Sequence, residues 1–448
     1  MFPSARHGET MTMLVRIALV ATVILGVAWA AEKKYRALKT EEMLQMLDTA
    51  QADVKDHYYD PAIHGLDLAQ RFDKARKEIA GAKSQDEGLL DIAAAVASVN
   101  DSHTRFNPPV RPYGVDYGWL MEAVGDSSCF VTAVRPESDA AAKGLKPGDQ
   151  IVSVNGIAVT RQDIGFIEYA YHVVPQSGLH LRVRSPDGAE RSLVAMATVI
   201  PGQEVIRHSD VMTWLRNYHG SSDRSQYYSR DEVLFWRFPD FLLDPSAVDG
   251  LLDRARSYKT LVLDLRSNPG GLTEALAKFV GGFFDHDIKV ADEKGREGVK
   301  PEMARSRRQK AFTGKLIVLV DGSTASAAEI FSRVVQLENR GIVLGDRSRG
   351  AVMQGRVFVH AAKLDATNVA QYGVEVSTEI MIMADGQSLE GVGVIPNERI
   401  LPSPADILQA RDPVLARAAE LGGVRMTPEE AGRILPFKWP KERMPEID

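Results

Sequence analysis

The fold is decided where two apolar strands each run into a turn of small residues and then into a helix. The first stretch is Leu263-Asp264-Leu265-Arg266-Ser267-Asn268-Pro269-Gly270-Gly271, and the second is Leu319-Val320-Asp321-Gly322-Ser323-Thr324-Ala325-Ser326-Ala327-Ala328-Glu329-Ile330. In open α/β sheets, functional groups collect where strands end and helices begin. From residue 232 onward, strand and helix patterns alternate, as in a mainly parallel sheet. The predicted fold class of this part is therefore α/β.

The chain ahead of residue 232 shows two other patterns. From residue 39 to residue 99, apolar side chains such as Met43, Met46 and Leu47 recur at helical spacing. Short alternating runs follow, separated by turns such as Asn155-Gly156, and they predict small strands. We divide the chain into a signal or anchor, a helical segment, a strand-rich domain, a polar linker, the α/β domain and a tail, at residues 1–30, 31–111, 112–200, 201–231, 232–421 and 422–448.

Composition and charge exclude several classes of protein. The 448 residues carry a net charge of −6 without a block of lysine and arginine, so we expect no nucleic-acid partner. Cys129 is the single cysteine and lies in an apolar stretch, which predicts a buried strand residue and excludes an internal disulfide. The histidines show no zinc signature, and we expect neither a metal nor another cofactor.

The N-terminus carries an apolar run from Ile17 to Ala30, preceded by Arg6 and Arg16. The run is shorter than a membrane-spanning helix requires, and Ala28-Trp29-Ala30 supplies the small residues that signal peptidase reads. We interpret it as a cleaved export signal, which predicts a periplasmic or secreted protein. The basic residues after the run leave an uncleaved anchor open, and membrane contact is expected only in that case.

Ser326 is a candidate nucleophile because it lies at a helix N-terminus between two small alanines. A serine hydroxyl needs a base, and His103 in a Ser-His-Thr run is the best candidate. Glu390, in a glycine-rich turn, is a candidate for orienting the imidazole. Gly270 and Gly271 expose bare backbone N–H groups that suit an oxyanion. Taken singly, each residue also fits an ordinary role: a helix cap, a loop histidine, a turn glutamate and a plain turn.

In combination these stretches resemble the C-terminal processing, or tail-specific, peptidases of family S41. The matching motifs are Asp264–Gly271, Ser323–Ile330 and Glu390–Asn397, the last with Asn397 where the family usually has aspartate. Gly144–Ile151, followed by Val154-Asn155-Gly156, resembles the PDZ domain of these enzymes. The resemblance implies a crotonase/ClpP-like α/β peptidase core with an inserted PDZ domain and an N-terminal helical segment.

One departure from the family changes the expected mechanism. The processing peptidases proper use a serine–lysine dyad, but the corresponding stretch, Gly345–Gln354, contains no lysine. Arg349 cannot replace it, because a guanidinium stays protonated. The tricorn-core branch of the superfamily uses a tetrad instead, and all four residue types are present. The resemblance therefore implies Ser326 as nucleophile, His103 as base, and Ser102 and Glu390 as supporting residues.

The expected activity is that of a serine endopeptidase acting on exported proteins or peptides. His103 should come within hydrogen-bonding reach of Ser326, while the backbone N–H groups of Ala327 and of Gly270 or Gly271 hold the oxyanion. The PDZ domain should add a peptide to a sheet edge near Gly118-Trp119-Leu120, the expected ligand-binding loop. The alternative is a catalytically inactive, PDZ-containing binding or scaffold protein on the same fold.

Overall fold

The computed structural model describes residues 37–109, 111, 113–201, 225–364 and 369–439. The predicted signal or anchor at residues 1–30 and most of the predicted linker lie outside these residues. Within the described part of the chain, no helix is long and apolar enough to cross a membrane.

The described residues form eleven α-helices and nineteen strands. The α-helices are α1 (Thr40–His57), α2 (Leu68–Gly81), α3 (Gln85–Ala97), α4 (Asp139–Ala142), α5 (Ile164–Val173), α6 (Val248–Ala255), α7 (Thr273–Gly281), α8 (Ala327–Leu337), α9 (Pro404–Leu408), α10 (Pro413–Leu421) and α11 (Pro428–Ile434). The strands are β1 (Arg105–Asn107), β2 (Tyr113–Asp116), β3 (Trp119–Val124), β4 (Ser128–Val134), β5 (Gln150–Val154), β6 (Ile157–Ala158), β7 (Gly178–Arg184), β8 (Glu190–Met196), β9 (Thr198–Pro201), β10 (Gln226–Arg230), β11 (Val233–Arg237), β12 (Thr260–Asp264), β13 (Ile288–Gly295), β14 (Gly298–Ala304), β15 (Lys315–Val320), β16 (Ile342–Gly345), β17 (Met353–Lys363), β18 (Val369–Ile382) and β19 (Glu398–Arg399).

Three amphipathic helices, α1 to α3, form the N-terminal layer. Their apolar faces pack on one another and on the inward side of β18, in a core that includes Met46, Phe72, Ile92 and Val374. After α3 ends, Asn100 turns the chain with a φ of 62°, a conformation that asparagine tolerates better than most residues. The chain then enters β1, which pairs antiparallel with β18. The residues between α3 and β1 are thereby fixed at the edge of a sheet.

The strand-rich domain forms one sheet in the order β3-β4-β5-β7-β8, with α4 and α5 against it. The chain enters this domain through β2 and leaves it through β9, and these two strands pair antiparallel. Cys129 is free and buried in β4, as predicted. Strand β3 lies at one edge of the sheet, so its outer backbone groups face away from the domain.

The α/β domain is built on a six-stranded sheet in the order β10-β11-β12-β15-β16-β19, parallel from β11 to β19. Helices α7 and α8 pack between this sheet and strands β13, β14 and β18, through a core that contains Phe279 and Phe331. Because β12 and β15 are neighbours, the two turns that decide the fold lie side by side.

Two boundaries differ from the sequence prediction. Residues 226–230, assigned to the linker, form β10, because Tyr227 stacks on Trp236 with ring centroids 5.6 Å apart. The tail after residue 422 contains α11, whose Ala431 is buried with residues of α10 against the open face of the parallel sheet. Both segments are integral parts of the α/β domain.

Candidate active site

Ser326 lies between the end of β15 and the first residue of α8, and its side chain is partly exposed. Its φ of 53° and ψ of −121° are strained for a residue with a side chain. The backbone N–H is shared between the carbonyl of Ala351, at 2.9 Å, and Glu329 Oε2, at 3.0 Å. Gly270 faces it so closely that a Cβ there would lie 2.6 Å from the Cβ of Ser326. The site therefore requires glycine at position 270.

Glu329 fixes the loop that carries Ser326, the candidate nucleophile, from inside the protein. Its Oε2 also accepts the N–H of Ala351 at 2.9 Å, and its Oε1 accepts the Ser348 hydroxyl at 2.5 Å and the Gly350 N–H at 2.7 Å. Burial raises the pKa of Glu329 to about 7, although these four donors oppose the shift. Sequence reasoning assigned no role to Glu329, because its donors come from a loop some twenty positions later in the chain.

Ser102, His103 and Glu390 form one hydrogen-bonded chain. The Ser102 Oγ lies 2.7 Å from His103 Nδ1 and 2.9 Å from Glu390 Oε2. The N–H groups of Ser102 and Val352 also donate to the Glu390 carboxylate, at 2.8 and 2.7 Å. An ionised carboxylate can only accept hydrogen bonds, so the Ser102 hydroxyl donates to Glu390. The Ser102 oxygen then accepts a hydrogen bond from the Nδ1–H group of His103. His103 Nε2 is then left unprotonated, as a general base requires.

The surroundings of His103 keep the imidazole neutral. Burial is the main cause that lowers the pKa of His103, and the charges of Arg105 and Arg349 act in the same direction. The carboxylates of Glu375 and Asp101 oppose this shift. Burial also raises the pKa of Glu390, against the hydrogen bonds from Val352 and Ser102.

Asp101 holds the backbone that carries His103. Its Oδ1 accepts the N–H of His103 at 2.9 Å, the N–H of Thr104 at 2.6 Å and the Ser377 hydroxyl at 2.9 Å. Its Oδ2 accepts the Thr104 hydroxyl at 2.8 Å. The sequence analysis assigned no such role to Asp101, although an aspartate in the turn that follows a helix frequently accepts nearby backbone N–H groups.

Residues 351–355 join the two halves of the site. The Ala351 carbonyl accepts the Ser326 N–H, and the next residue, Val352, donates to Glu390. At Gly355, a Cβ would lie 3.3 Å from the Cβ of His103. Among the described residues, however, no hydrogen bond joins the Ser326 hydroxyl to the His103 ring, in contrast to the direct contact expected from the sequence. Catalytic hydrogen bonds often tighten only when substrate binds.

The three predicted oxyanion residues separate into two groups. The Gly270 N–H donates to Asn268 Oδ1 at 2.8 Å, which favours Gly271 over Gly270 as the oxyanion donor. Gly271 has no room for a side chain, since a Cβ would lie 2.3 Å from the carbonyl carbon of Phe241. Its N–H makes no hydrogen bond within the described residues. Ala327 begins α8, where backbone N–H groups lack an intrahelical acceptor.

The predicted PDZ ligand loop is only partly a surface feature. Gly118 adopts a φ of 70° and donates its N–H to Asp116 at 2.7 Å. Trp119 is buried in the core of the strand-rich domain, so its side chain is not a free ligand contact. Leu120 is 42% exposed on the edge strand β3.

The strand-rich domain is fixed to the α/β domain next to the site. Arg161 donates to the carbonyls of Gly125 and Arg347, at 2.6 and 2.9 Å, and forms an ion pair with Asp346. Asp346 also accepts the Gly125 N–H at 2.8 Å. The Arg161 side chain is only 7% exposed, which makes this the central ion pair between the two domains.

Within the described residues, no group of three or more metal-binding side chains is present.

Comparisons with known proteins identify both domains. Residues 233–400 match the family described as Peptidase family S41, and residues 130–171 match a PDZ domain. The chain is 24% identical over 376 residues to the chloroplastic carboxyl-terminal-processing peptidase 1 of Arabidopsis thaliana, covering 81% of this chain and 71% of that protein. It is 26% identical over 336 residues to a probable CtpA-like serine protease of Staphylococcus aureus, covering 71% of this chain and 61% of that protein.

Solved structures support the fold. The crystal structure of mature CPAF superposes with a TM-score of 0.60 at 16% identity, covering 82% of this chain and 94% of that chain. Mature CPAF complexed with lactacystin gives a TM-score of 0.59 at 15% identity, covering 82% and 95%.

These matches define a serine peptidase, a hydrolase with a mixed α/β fold. More particularly, they indicate an S41 peptidase domain combined with a PDZ domain and N-terminal helices, which confirms the predicted fold class and the predicted enzyme class.

Proposed function

We propose that this chain is a serine endopeptidase that cleaves exported proteins through an acyl-enzyme on Ser326, with His103 as general base. The observation that carries the proposal is the hydrogen-bonded chain from Glu390 through Ser102 to His103. These hydrogen bonds extend to the N–H of Val352, which donates to Glu390. The preceding residue, Ala351, accepts the N–H of Ser326 with its carbonyl. The PDZ domain assists substrate binding or regulation.

In the first half of the reaction, Ser326 Oγ attacks the scissile carbonyl carbon while its proton passes to His103 Nε2. The imidazolium is stabilised through Ser102 by the Glu390 carboxylate. The carbonyl oxygen becomes an oxyanion and accepts the N–H groups of Gly271 and Ala327. The C–N bond then breaks, the Nε2 proton moves to the leaving amine, and an ester remains on Ser326.

In the second half, water attacks the ester carbon and gives a proton to His103 Nε2. The ester bond breaks, the proton returns to Ser326 Oγ, and the new carboxylic acid leaves. A lysine dyad is not required, and the segment 345–354 contains no lysine to form one. The proposed mechanism therefore uses only the four residues Ser102, His103, Ser326 and Glu390.

Labelling with a fluorophosphonate tests this function. We expect the wild-type protein to be labelled and to cleave a peptide library, whereas Ser326→Ala does neither and His103→Ala is slowed in both. The alternative, a catalytically inactive binding protein, predicts peptide binding through the PDZ domain without labelling or cleavage. Full-rate hydrolysis by His103→Ala would exclude His103 as the base.

We also propose export to the periplasm or the medium, on the strength of the apolar run from Ile17 to Ala30. N-terminal sequencing of the protein recovered from cell fractions tests this. A chain that begins after Ala30 in the soluble exported fraction supports cleavage, whereas an intact N-terminus in the membrane fraction indicates an anchor.

A further inference from the structure

Arg349 lies in the stretch that lacks the dyad lysine, and its backbone is fixed beside the nucleophile loop. Its N–H donates to the carbonyl of Thr324 at 2.9 Å, two residues before Ser326. The residues on either side of it, Ser348 and Gly350, both donate to Glu329 Oε1. The starting point of the Arg349 side chain is therefore as well defined as the site itself.

The Arg349 side chain leaves the α/β domain and ends at helix α5 of the PDZ domain. Its Nη2 lies 3.5 Å from Glu168 Oε2, and only 2.8 Å from where a Cβ on Gly165 would lie. The absence of a side chain at Gly165 thus leaves room for the guanidinium. The charge of Arg349 also acts on the His103 imidazole. The guanidinium therefore lies between the loop that carries it and helix α5 of the PDZ domain.

The pair of Arg349 and Glu168 is too weak to hold the two domains together. A guanidinium carries five donors in a fork that suits a carboxylate in bidentate contact, and here a single long contact is made. The two side chains are 39% and 47% exposed, and such pairs contribute little to stability. Arg161, at 7% exposure, already makes a buried contact between the domains, to Asp346 and to the Arg347 carbonyl. Within the described residues, most donors of the Arg349 guanidinium therefore have no protein acceptor.

We propose that Arg349 determines specificity by binding a carboxylate of the substrate beside helix α5 of the PDZ domain, where it exchanges Glu168 for that carboxylate. An acidic side chain and a free C-terminus both supply this group. The inference rests on the proposed peptidase function and names the chemical class of its preferred substrates. Arg349 takes no part in proton transfer.

The test uses the full-length protein and peptides that share one cleavage site. One peptide is neutral and amidated, a second carries aspartate or glutamate and is amidated, and a third has a free C-terminal carboxylate. The assay is run at a pH above the acid limb of the profile, because loss of the Arg349 charge also raises the pKa of His103. At that pH we expect kcat/KM of Arg349→Gln to fall roughly tenfold more on the peptides that carry the recognised carboxylate than on the neutral one. The second and third peptides distinguish the two sources of the carboxylate.

Two further variants separate recognition from a purely structural pair. Glu168→Gln removes the competing carboxylate, so it should raise kcat/KM on acidic peptides. Gly165→Ala displaces the guanidinium and should reduce the preference for acidic peptides, while alanine remains a good helix former. Arg184→Gln is the matched control, because it breaks a similarly exposed pair with Glu190 far from the site.

Two results would overturn the inference. The first is an equal loss of kcat/KM on all peptides in Arg349→Gln. The second is a loss of kcat/KM in Glu168→Gln that matches the loss in Arg349→Gln. Either result would show that the ion pair serves only to hold the structure. Fluorophosphonate labelling of Ser326 keeps the two proposals apart. A wild-type protein that neither labels nor cleaves contradicts the peptidase function itself. A wild-type protein that labels and cleaves, with a substrate preference that Arg349→Gln leaves unchanged, contradicts only the role of Arg349.

Discussion

Two buried or half-buried glutamates organise opposite halves of the site in different ways. Glu329 accepts four donors from the nucleophile side, three of them backbone N–H groups, and so sets where atoms lie. Glu390 also accepts two backbone N–H groups, but its third donor is the Ser102 hydroxyl, which contacts His103, so Glu390 in addition sets where a proton lies. The comparison shows that one carboxylate supplies position and the other supplies protonation state, and each role predicts a different response to mutation.

The largest effect is expected for Glu390→Gln. The amide replaces an acceptor with a donor beside the Ser102 hydroxyl, so His103 loses the arrangement that leaves Nε2 unprotonated. We expect kcat to fall by about 10³-fold or more, as when the orienting acid of a serine protease triad is neutralised. Steady-state hydrolysis measures this loss, and thermal unfolding serves as the control. Near-normal kcat in a folded Glu390→Gln protein would contradict the role of Glu390.

The ionisation of Glu329 should be visible in the stability of the protein. Its pKa is raised from the ordinary 4.5 to about 7, so between these values the folded protein retains a proton that the unfolded chain releases. The free energy of unfolding should therefore fall as pH rises through this window, by about 3 kcal/mol for this group. Urea unfolding of the wild type and of Glu329→Gln at pH 5 and pH 8 isolates the contribution. Parallel pH dependence of the two proteins would show that Glu329 does not titrate there.

Glu329→Gln should also slow catalysis without changing the protonation of His103. The side-chain nitrogen of the glutamine must face N–H or O–H donors that the carboxylate accepts in the wild type. The backbone of Ser326 therefore loses part of the hydrogen bonding that holds it. We expect kcat to fall by about 10²-fold, with an equal fall in the rate of fluorophosphonate labelling. If KM rises while kcat and labelling are unchanged, Glu329 does not position the nucleophile.

The smallest effect is expected for Asp101→Asn. The amide oxygen can keep part of the turn that holds His103 and Thr104, but the negative charge that raises the pKa of His103 is lost. The acid limb of the kcat/KM profile should shift to lower pH, and the maximal kcat should fall about tenfold. An unchanged acid limb would show that the Asp101 charge does not reach the imidazole.

The candidate catalytic residues were easier to predict from the sequence than the residues that hold them in place. Ser102, His103 and Glu390 could be named because each lies in a short recognisable motif, and the structure brings them together. Glu329 and Asp101 act on backbone groups, and the position of a backbone N–H depends on the fold rather than on residue type. The same limit explains Gly270, whose N–H is taken by the side chain of Asn268.

The elements of the fold also differ in how well the sequence predicts them. Regular alternation from residue 232 predicts the parallel sheet, because its strands are fully apolar and its helices amphipathic. Strand β10 lies at the end of a polar, irregular stretch, which predicts a linker. Its two adjacent tyrosines gain their packing partners only in the fold, where Tyr227 contacts Trp236 and Tyr228 contacts Phe235.

The ion pair of Arg161 and Asp346 limits how the two domains can be studied apart. Cutting out residues 113–201 would leave the carboxylate of Asp346 without the guanidinium and the N–H of Gly125 that now satisfy it, with Arg399 as its remaining charged partner. If the truncated protein lost activity, the cause could be the altered position of residues 346–349 and not the loss of a function of the PDZ domain. Point substitutions on the PDZ surface, rather than excision, are the informative way to learn what that module contributes.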